Sequence, residues 1–171
     1  MLLKRIVCNV EPECKQDFFI AQANWQKISQ AEGFIAQIGG WNINNNKQAC
    51  IMAFWQDKNH LDIFMQSIHD EIVAANKQEN SYSSIKIDYF ESAISHYELL
   101  PLINQAGFLE TKEIAAKQIE LKAPDLVFKS SDSSKYLLTR FWKNLAAYKL
   151  AKAIKTDKQG LVFIDAWTVL K

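Results

Sequence analysis

The segment Trp41-Asn-Ile-Asn-Asn-Asn-Lys-Gln-Ala-Cys-Ile-Met-Ala-Phe-Trp55 returns later in the chain as Phe128-Lys-Ser-Ser-Asp-Ser-Ser-Lys-Tyr-Leu-Leu-Thr-Arg-Phe-Trp142. Both copies are fifteen residues long and align without a gap. Each opens on an aromatic residue, passes through a polar turn and closes on Phe-Trp. A polar turn between two apolar runs reads as a hairpin. Two such hairpins in one chain predict two similarly built units.

The flanking segments fit that expectation. Leu2–Val10 reads as a strand ended by Pro12. Residues 14–30 carry a helical period, with Phe18, Ala21, Trp25 and Ile28 on one face and Glu32-Gly33 as the stop. Phe34–Trp41 is the next strand, where Gly39-Gly40 marks a bulge or a close backbone approach. Gln48–Trp55 follows. Asp57 then caps a helix whose apolar face runs from Leu61 through Val73, and Ser84–Phe90 is a fourth strand. In the second half the expected elements are a strand over Ser95–Ile103, a helix over Glu110–Leu121, the repeated hairpin, a helix from Asn144 to Ile154 and a closing strand over Leu161–Leu170. Ile164-Asp-Ala-Trp167 is expected to match Ile87-Asp-Tyr-Phe90.

Two strand–helix–strand units sharing a sheet cross over right-handed. The prediction is therefore an α+β chain of tandem ferredoxin-like (βαββαβ) units, residues 1–92 and 93–171. Each unit has helices on one sheet face and leaves the other face bare, and a bare apolar face needs a cover. Placing the two bare faces together gives an α+β barrel, closed within one chain as a pseudo-dimer or between two chains as a homodimer.

With 49% hydrophobic residues, 171 residues suffice for a sizeable core. A net charge of +1 with dispersed basic residues gives no general attraction to nucleic acid or anionic membrane. No apolar run approaches the roughly 20 residues of a membrane span, and the N-terminus does not read as a signal peptide. A cytoplasmic location is expected. Cys8, Cys14 and Cys50 are odd in number and widely spaced, which predicts neither a disulfide framework nor a zinc site.

The run Glu32-Gly-Phe-Ile-Ala-Gln-Ile-Gly-Gly-Trp41, a strand ending in Phe-Trp and the helix after it resemble the antibiotic-biosynthesis-monooxygenase-like group of dimeric α+β barrels, in an uncharacterised branch. The ending Ala166-Trp-Thr-Val169 is similar to the way such units finish. The resemblance covers most of the chain, residues 1–92 most clearly. It implies one of three things: a cofactor-independent monooxygenase on polycyclic aromatic substrates, a haem degrader, or a protein without known activity. The haem-degrader pattern wants an asparagine on the first strand, a tryptophan on the second helix and a histidine ten residues on. Asn9 matches the first, but Phe64 and Ala74 stand at the other two positions, so no cofactor is expected.

His60, His69 and His96 are the only histidines, and their spacing completes no metal set. His69-Asp70-Glu71 reads either as a solvated helix face or as a general base with its acids. The tryptophans read either as core packing or as walls of a pocket between sheet and helices for a flat apolar ligand. Two functions therefore stand side by side. One is a small-molecule-binding barrel, monooxygenase-like toward a flat aromatic substrate, with Asn9 and His69 as catalytic candidates and Trp25, Trp41 and Phe64 as ligand-binding candidates. The other is a non-catalytic structural or interaction module. No phosphate loop, nucleophile elbow or dinucleotide fingerprint is present.

Overall fold

The structure is a computed structural model that describes residues 1–116, 126–151 and 159–171. The first half consists of β1 (Leu2–Asn9), α1 (Lys15–Ala23), β2 (Phe34–Asn42), β3 (Asn45–Trp55), α2 (Lys58–Gln66), α3 (His69–Asn76) and β4 (Ser84–Glu91). The second consists of α4 (His96–Gln105), β5 (Phe108–Ala115), β6 (Leu126–Ser130), β7 (Lys135–Trp142), α5 (Leu145–Ala151), β8 (Gln159–Val162) and β9 (Val169–Leu170).

The strands pair in the order β3-β1-β4-β6-β7-β5-β8-β2, and β2 returns to β3. Every pairing is antiparallel, so eight strands close a barrel within one chain. The orders β2-β3-β1-β4 and β6-β7-β5-β8 are the same ferredoxin-like order met twice. The seams between them are short: Phe90 and Glu91 against Ser130 and Lys129, and Asn42 against Leu161. β9 continues along β2 beyond β8, pairing Val169 with Gln37.

Alternation along each strand sorts side chains between barrel and helix layer. Leu3, Met52, Phe54 and Phe90 from the first half meet Leu109, Phe128 and Leu137 from the second in one buried core. Trp55 instead packs in the helix layer with Phe34, Ile28, Leu61 and Phe64. The Phe54-Trp55 pair is thus split between the two layers. Its counterpart splits likewise, with Phe141 against the barrel core and Trp142 edge-on to Tyr148 of α5.

The barrel wall also carries ions. The guanidinium of Arg5, buried to 3% exposure, bonds Asp88 at 2.6 Å and Glu113 at 2.5 Å, and lies 5.2 Å from the Phe90 ring centroid. Lys135 reaches Asp88 at 3.3 Å and Glu113 at 3.0 Å. Burial opposes ionisation of Asp88, but the hydrogen bonds from Arg5 and Lys86 outweigh it and hold the carboxyl at about 2. Asp88 and Arg5 belong to the first half, Glu113 and Lys135 to the second, so the network joins the two.

Several expected elements change. Ser95–Ile103 is not a strand: residues 96–105 form α4, started by a capping box in which Ser95 and Glu98 satisfy each other's backbone N–H. Pro101 sits inside that helix, and Leu99 and Ile103 pack into the barrel core. The helix expected over Glu110–Leu121 is strand β5 up to Ala115, and its last five residues lie outside the described residues. β5 pairs on both edges, with β7 and with β8, and two-sided pairing overrides the local helix preference. The long second helix breaks into α2 and α3 at Ser67, whose hydroxyl donates to the Ile63 carbonyl at 2.7 Å. The helix expected over 14–30 is α1 followed by a 3₁₀ stretch, Asn24–Gln30. Asn144 does cap α5, its Oδ1 accepting from the Ala147 N–H, while 152–154 lie outside the described residues. Ile164–Trp167 does not match Ile87–Phe90: Asp165–Trp167 is a 3₁₀ turn that interrupts the expected closing strand.

Gly39-Gly40 is the close approach that the sequence predicts. A Cβ on Gly40 would stand 1.8 Å from the Val162 carbonyl oxygen, where β8 crosses β2. Gly33 takes φ +70°, a left-handed conformation suited to glycine, and the His60 ring fills the space its missing side chain leaves.

Candidate functional site

In the first half the helix layer does not seal against the sheet. A cavity of about 260 Å³ lies between the outer face of β1–β4 and the helices. Its floor is the helix-facing row of the sheet: Lys4, Ile6 and Cys8 of β1, with Ile51, Ala53 and Trp55 of β3. Phe64, Met65 and His69 on α2 and α3 and Trp25 on the 3₁₀ stretch are among its walls. Ile85 and Ile87 of β4 also line it and are 46% and 42% exposed, so it opens along that strand.

Polar groups in the lining are mostly tied down. Gln78 accepts from the Trp25 indole N–H at 2.7 Å and donates to Gln22 at 3.0 Å. That bridge fixes the Trp25 ring from two directions. The Gln37 amide donates to the Trp167 carbonyl at 3.3 Å. His69 Nδ1 lies 2.9 Å from Asp70 Oδ1. Its ring packs edge-on against Phe64 at 5.7 Å between centroids and against Trp25 at 5.8 Å. Burial pushes the Cys8 thiol up to about 12, with the neighbouring Cys50 adding to the effect, which makes it an inert wall rather than a nucleophile.

Three of the five candidates from the sequence come together here: Trp25, Phe64 and His69 all line the cavity. Trp41 and Asn9 are not among its lining residues. Trp41 belongs to a separate aromatic cluster, 5.9 Å from Phe18 and 5.5 Å from Trp167, with the Lys15 ammonium 4.8 Å from its ring. The glycines before it make room for Trp167 and for β8. Asn9 ends β1, and its amide donates to Ser84 Oγ at 2.7 Å, pinning β1 to β4. His60 is not a free surface residue. Its side chain is 21% exposed, and Nδ1 lies 2.8 Å from Asp57. Ala74, at the haem-histidine position, is exposed. Among the described residues no group of three His, Cys, Asp or Glu could hold a metal ion, and no helix is long and apolar enough to cross a membrane.

Sequence reasoning missed Lys4, which is 7% exposed and lines the cavity. The signal was present in the alternation Leu2, Lys4, Ile6, Cys8, which places one ammonium on a row of otherwise apolar, helix-facing positions.

A closed antiparallel α+β barrel with a helix-covered cavity is the architecture of the antibiotic-biosynthesis-monooxygenase-like barrels. Within that class, residues 2–90 match the family described as Domain of unknown function (DUF4937), and the chain belongs to this family. An uncharacterised protein of Bacillus subtilis (strain 168), YdbC, is 34% identical over 93 residues, covering 53% of this chain and 78% of that protein. A solved structure from Lactobacillus acidophilus NCFM, provisionally described as a monooxygenase, superposes with a TM-score of 0.64 at 10% identity and covers 99% of this chain and 95% of its own. An anthrone oxidase-like protein superposes with a TM-score of 0.64 at 7% identity, covering 95% of this chain and 91% of its own. Identities this low speak for the shared fold alone.

Proposed function

We propose that this protein binds a small, flat, largely apolar molecule in the first-half cavity and oxygenates it without a cofactor. The observation that carries this reading is the cavity itself: aromatic walls around about 260 Å³, with His69 in the lining and its Nδ1 held by the exposed Asp70 carboxylate outside it. The volume lies a little below the roughly 300–1,000 Å³ usual for drug-sized ligands, which favours a ligand of two or three fused rings. Asp70 at Nδ1 favours the tautomer with the proton on that nitrogen and leaves Nε2 as the base. In the chemistry proposed, His69 removes a proton from an acidic CH₂ of the ligand. The carbanion gives its electrons to O₂, forming a C–O bond and a peroxide. The peroxide takes up a proton and loses water, leaving a carbonyl. One O₂ is consumed, with one of its oxygen atoms in the product and the other in water. The protein supplies the base and a water-poor cavity.

The names carried by fold relatives, a monooxygenase and an anthrone oxidase-like protein, suggest anthrone as the first probe. Anthrone should quench tryptophan fluorescence saturably, and oxygen uptake should match ketone formation one to one. His69→Ala should lower turnover by about a hundredfold or more while leaving the quenching in place. Absence of quenching would sink the binding reading. Quenching without oxygen uptake would leave a binding module with no chemistry on this ligand.

A further inference from the structure

Among the described residues the Lys4 ammonium has no anionic partner. Its one hydrogen-bond contact among the described residues is the Met65 thioether, Nζ to Sδ at 3.4 Å. Neighbours on its row of β1 are Leu2 and Ile6, and the residue opposite it on β3 is Ala53. One carboxylate, Glu79, shares the cavity lining, but it is exposed, and its charge acts on Tyr82 rather than on Lys4. Of the other titratable groups in the lining, His69 is engaged with Asp70, while Cys8 and Tyr82 are neutral in the physiological range. Behind the same lining a second donor has no partner among the described residues: the Trp55 indole Nε1, sealed on a residue with no exposed surface. Trp55 pairs with Leu2, two residues before Lys4 on the adjacent strand, so the two side chains are diagonal neighbours on one sheet face.

A buried ammonium without a counter-ion is costly, and a buried N–H without an acceptor adds to the cost. Burial accordingly lowers the Lys4 pKa. A methionine at this position would fill similar space without that cost, so the lysine is a liability to the empty fold. Both unsatisfied groups are donors, and what they lack is an acceptor carrying negative charge. An apolar cavity whose one reachable unmet requirement is a cation matches a molecule that is apolar over most of its surface and ends in a single carboxylate.

We propose that the cavity takes an aryl carboxylate whose ring system lies among Trp25, Phe64 and Ile51 and whose carboxylate ion-pairs with Lys4. A carboxylic acid is already ionised in neutral water, so it brings the missing charge without help from His69. This assignment rests on the cavity being a ligand site and specifies the ligand class for it.

Calorimetric titration of the full-length protein with 2-naphthoate, methyl 2-naphthoate and naphthalene tests the proposal. The acid should bind about tenfold or more tightly than its ester. In Lys4→Met, and in Lys4→Gln as a second replacement, that preference should disappear while the ester binds as before. Lys4→Met should also melt at a higher temperature than the parent protein, because an unpaired buried charge has been removed. Ester and naphthalene binding without acid binding would overturn the Lys4 assignment and leave the cavity reading intact. An acid preference that survives both replacements would overturn it too. Failure of all three probes to bind would overturn both readings.

Discussion

The two Phe-Trp pairs occupy matching places in the two halves, yet what lies over them differs. Trp55 is fully buried beneath α2 and α3, against Phe34 and Phe64 at 5.4 and 5.0 Å, with its indole N–H unbonded. Trp142 is half-buried, meets Tyr148 at 5.7 Å and donates to Glu110 at 3.3 Å. α5, which brings Tyr148, is seven residues long and buries none of its own side chains. In the second half Tyr148 also lies 4.6 Å from Phe108, so among the described residues α5 meets the sheet through one aromatic side chain on two rings. In the first half α2, α3 and the 3₁₀ stretch stand off the sheet, and the gap is the cavity. Barrel closure needs only the inner faces to match, which leaves the outer layers free to diverge. The Trp142–Glu110 hydrogen bond in the second half stabilises the fold, while the unmet donors in the first half do not.

Removing the two tryptophans tests this contrast most severely. Trp55→Ala should destabilise by about 4 kcal/mol, as expected for an aromatic deleted from a fully buried site. Trp142→Ala should cost roughly half as much, because its ring is partly exposed and its surroundings can relax. Urea midpoints at constant slope measure both. Equal losses would mean that the two layers carry equal weight and would break the comparison.

The ion network asks whether the halves are coupled through the barrel wall. Arg5→Met removes the buried cation and leaves Asp88 and Glu113 to Lys135, with Lys86 beside Asp88, and should cost roughly 2 kcal/mol at neutral pH. The pH dependence has a definite sign. Hydrogen bonds hold Asp88 at about 2 despite the opposing effect of burial, and Glu113 is lowered in the same way. A carboxylate depressed in the folded state stabilises at pH values above its unfolded pKa, near 4, and that contribution is lost as pH falls toward 2. Stability should therefore decline between about pH 4 and 2 in the parent protein, and the decline should flatten in Arg5→Met. An unchanged acid profile would show that the network adds nothing to folding.

Gly40→Ala probes the seam itself. The added methyl meets a backbone carbonyl, which has less freedom to give way than a side chain. A loss of about 2 kcal/mol is expected, with amide exchange rising first in β8 and β2. Exchange rising uniformly would imply that this seam is no weaker than the strands on either side.

What the sequence made legible follows from the same contrast. The hairpin pattern and its Phe-Trp endings are local and periodic, so they identified two units and a barrel. Gly39-Gly40 announced a close approach for a steric reason that acts at one position, although the partner proved to be β8 and Trp167 rather than a ligand near Trp41. β5 was misread because its helix formers are overruled by neighbours that arrive from Lys135 onward. α4 is harder to read: Ser95 and Glu98 stand at capping-box spacing, but Pro101 suits the end of a strand as well as it does this helix. In the site, Trp25, Phe64 and His69 were reachable because helical spacing puts them on faces turned toward a sheet. Lys4 shows in the sequence only as the residue that breaks the apolar row Leu2, Ile6, Cys8.

The smallest expected effect tests how far α5 acts on its own. Asn144 caps α5 by accepting from the Ala147 N–H at 2.8 Å. Asn144→Ala should cost about 1 kcal/mol at most. The helix it starts buries no side chain of its own, so most of that loss should appear as local fraying rather than as global unfolding. Amide exchange should accelerate in α5, the urea midpoint should barely move, and ligand titrations in the first-half cavity should be unaffected. Weakened binding there would show that the two helix layers communicate across the barrel, and the division between a cover that only stabilises and a cover that encloses a site would have to be given up.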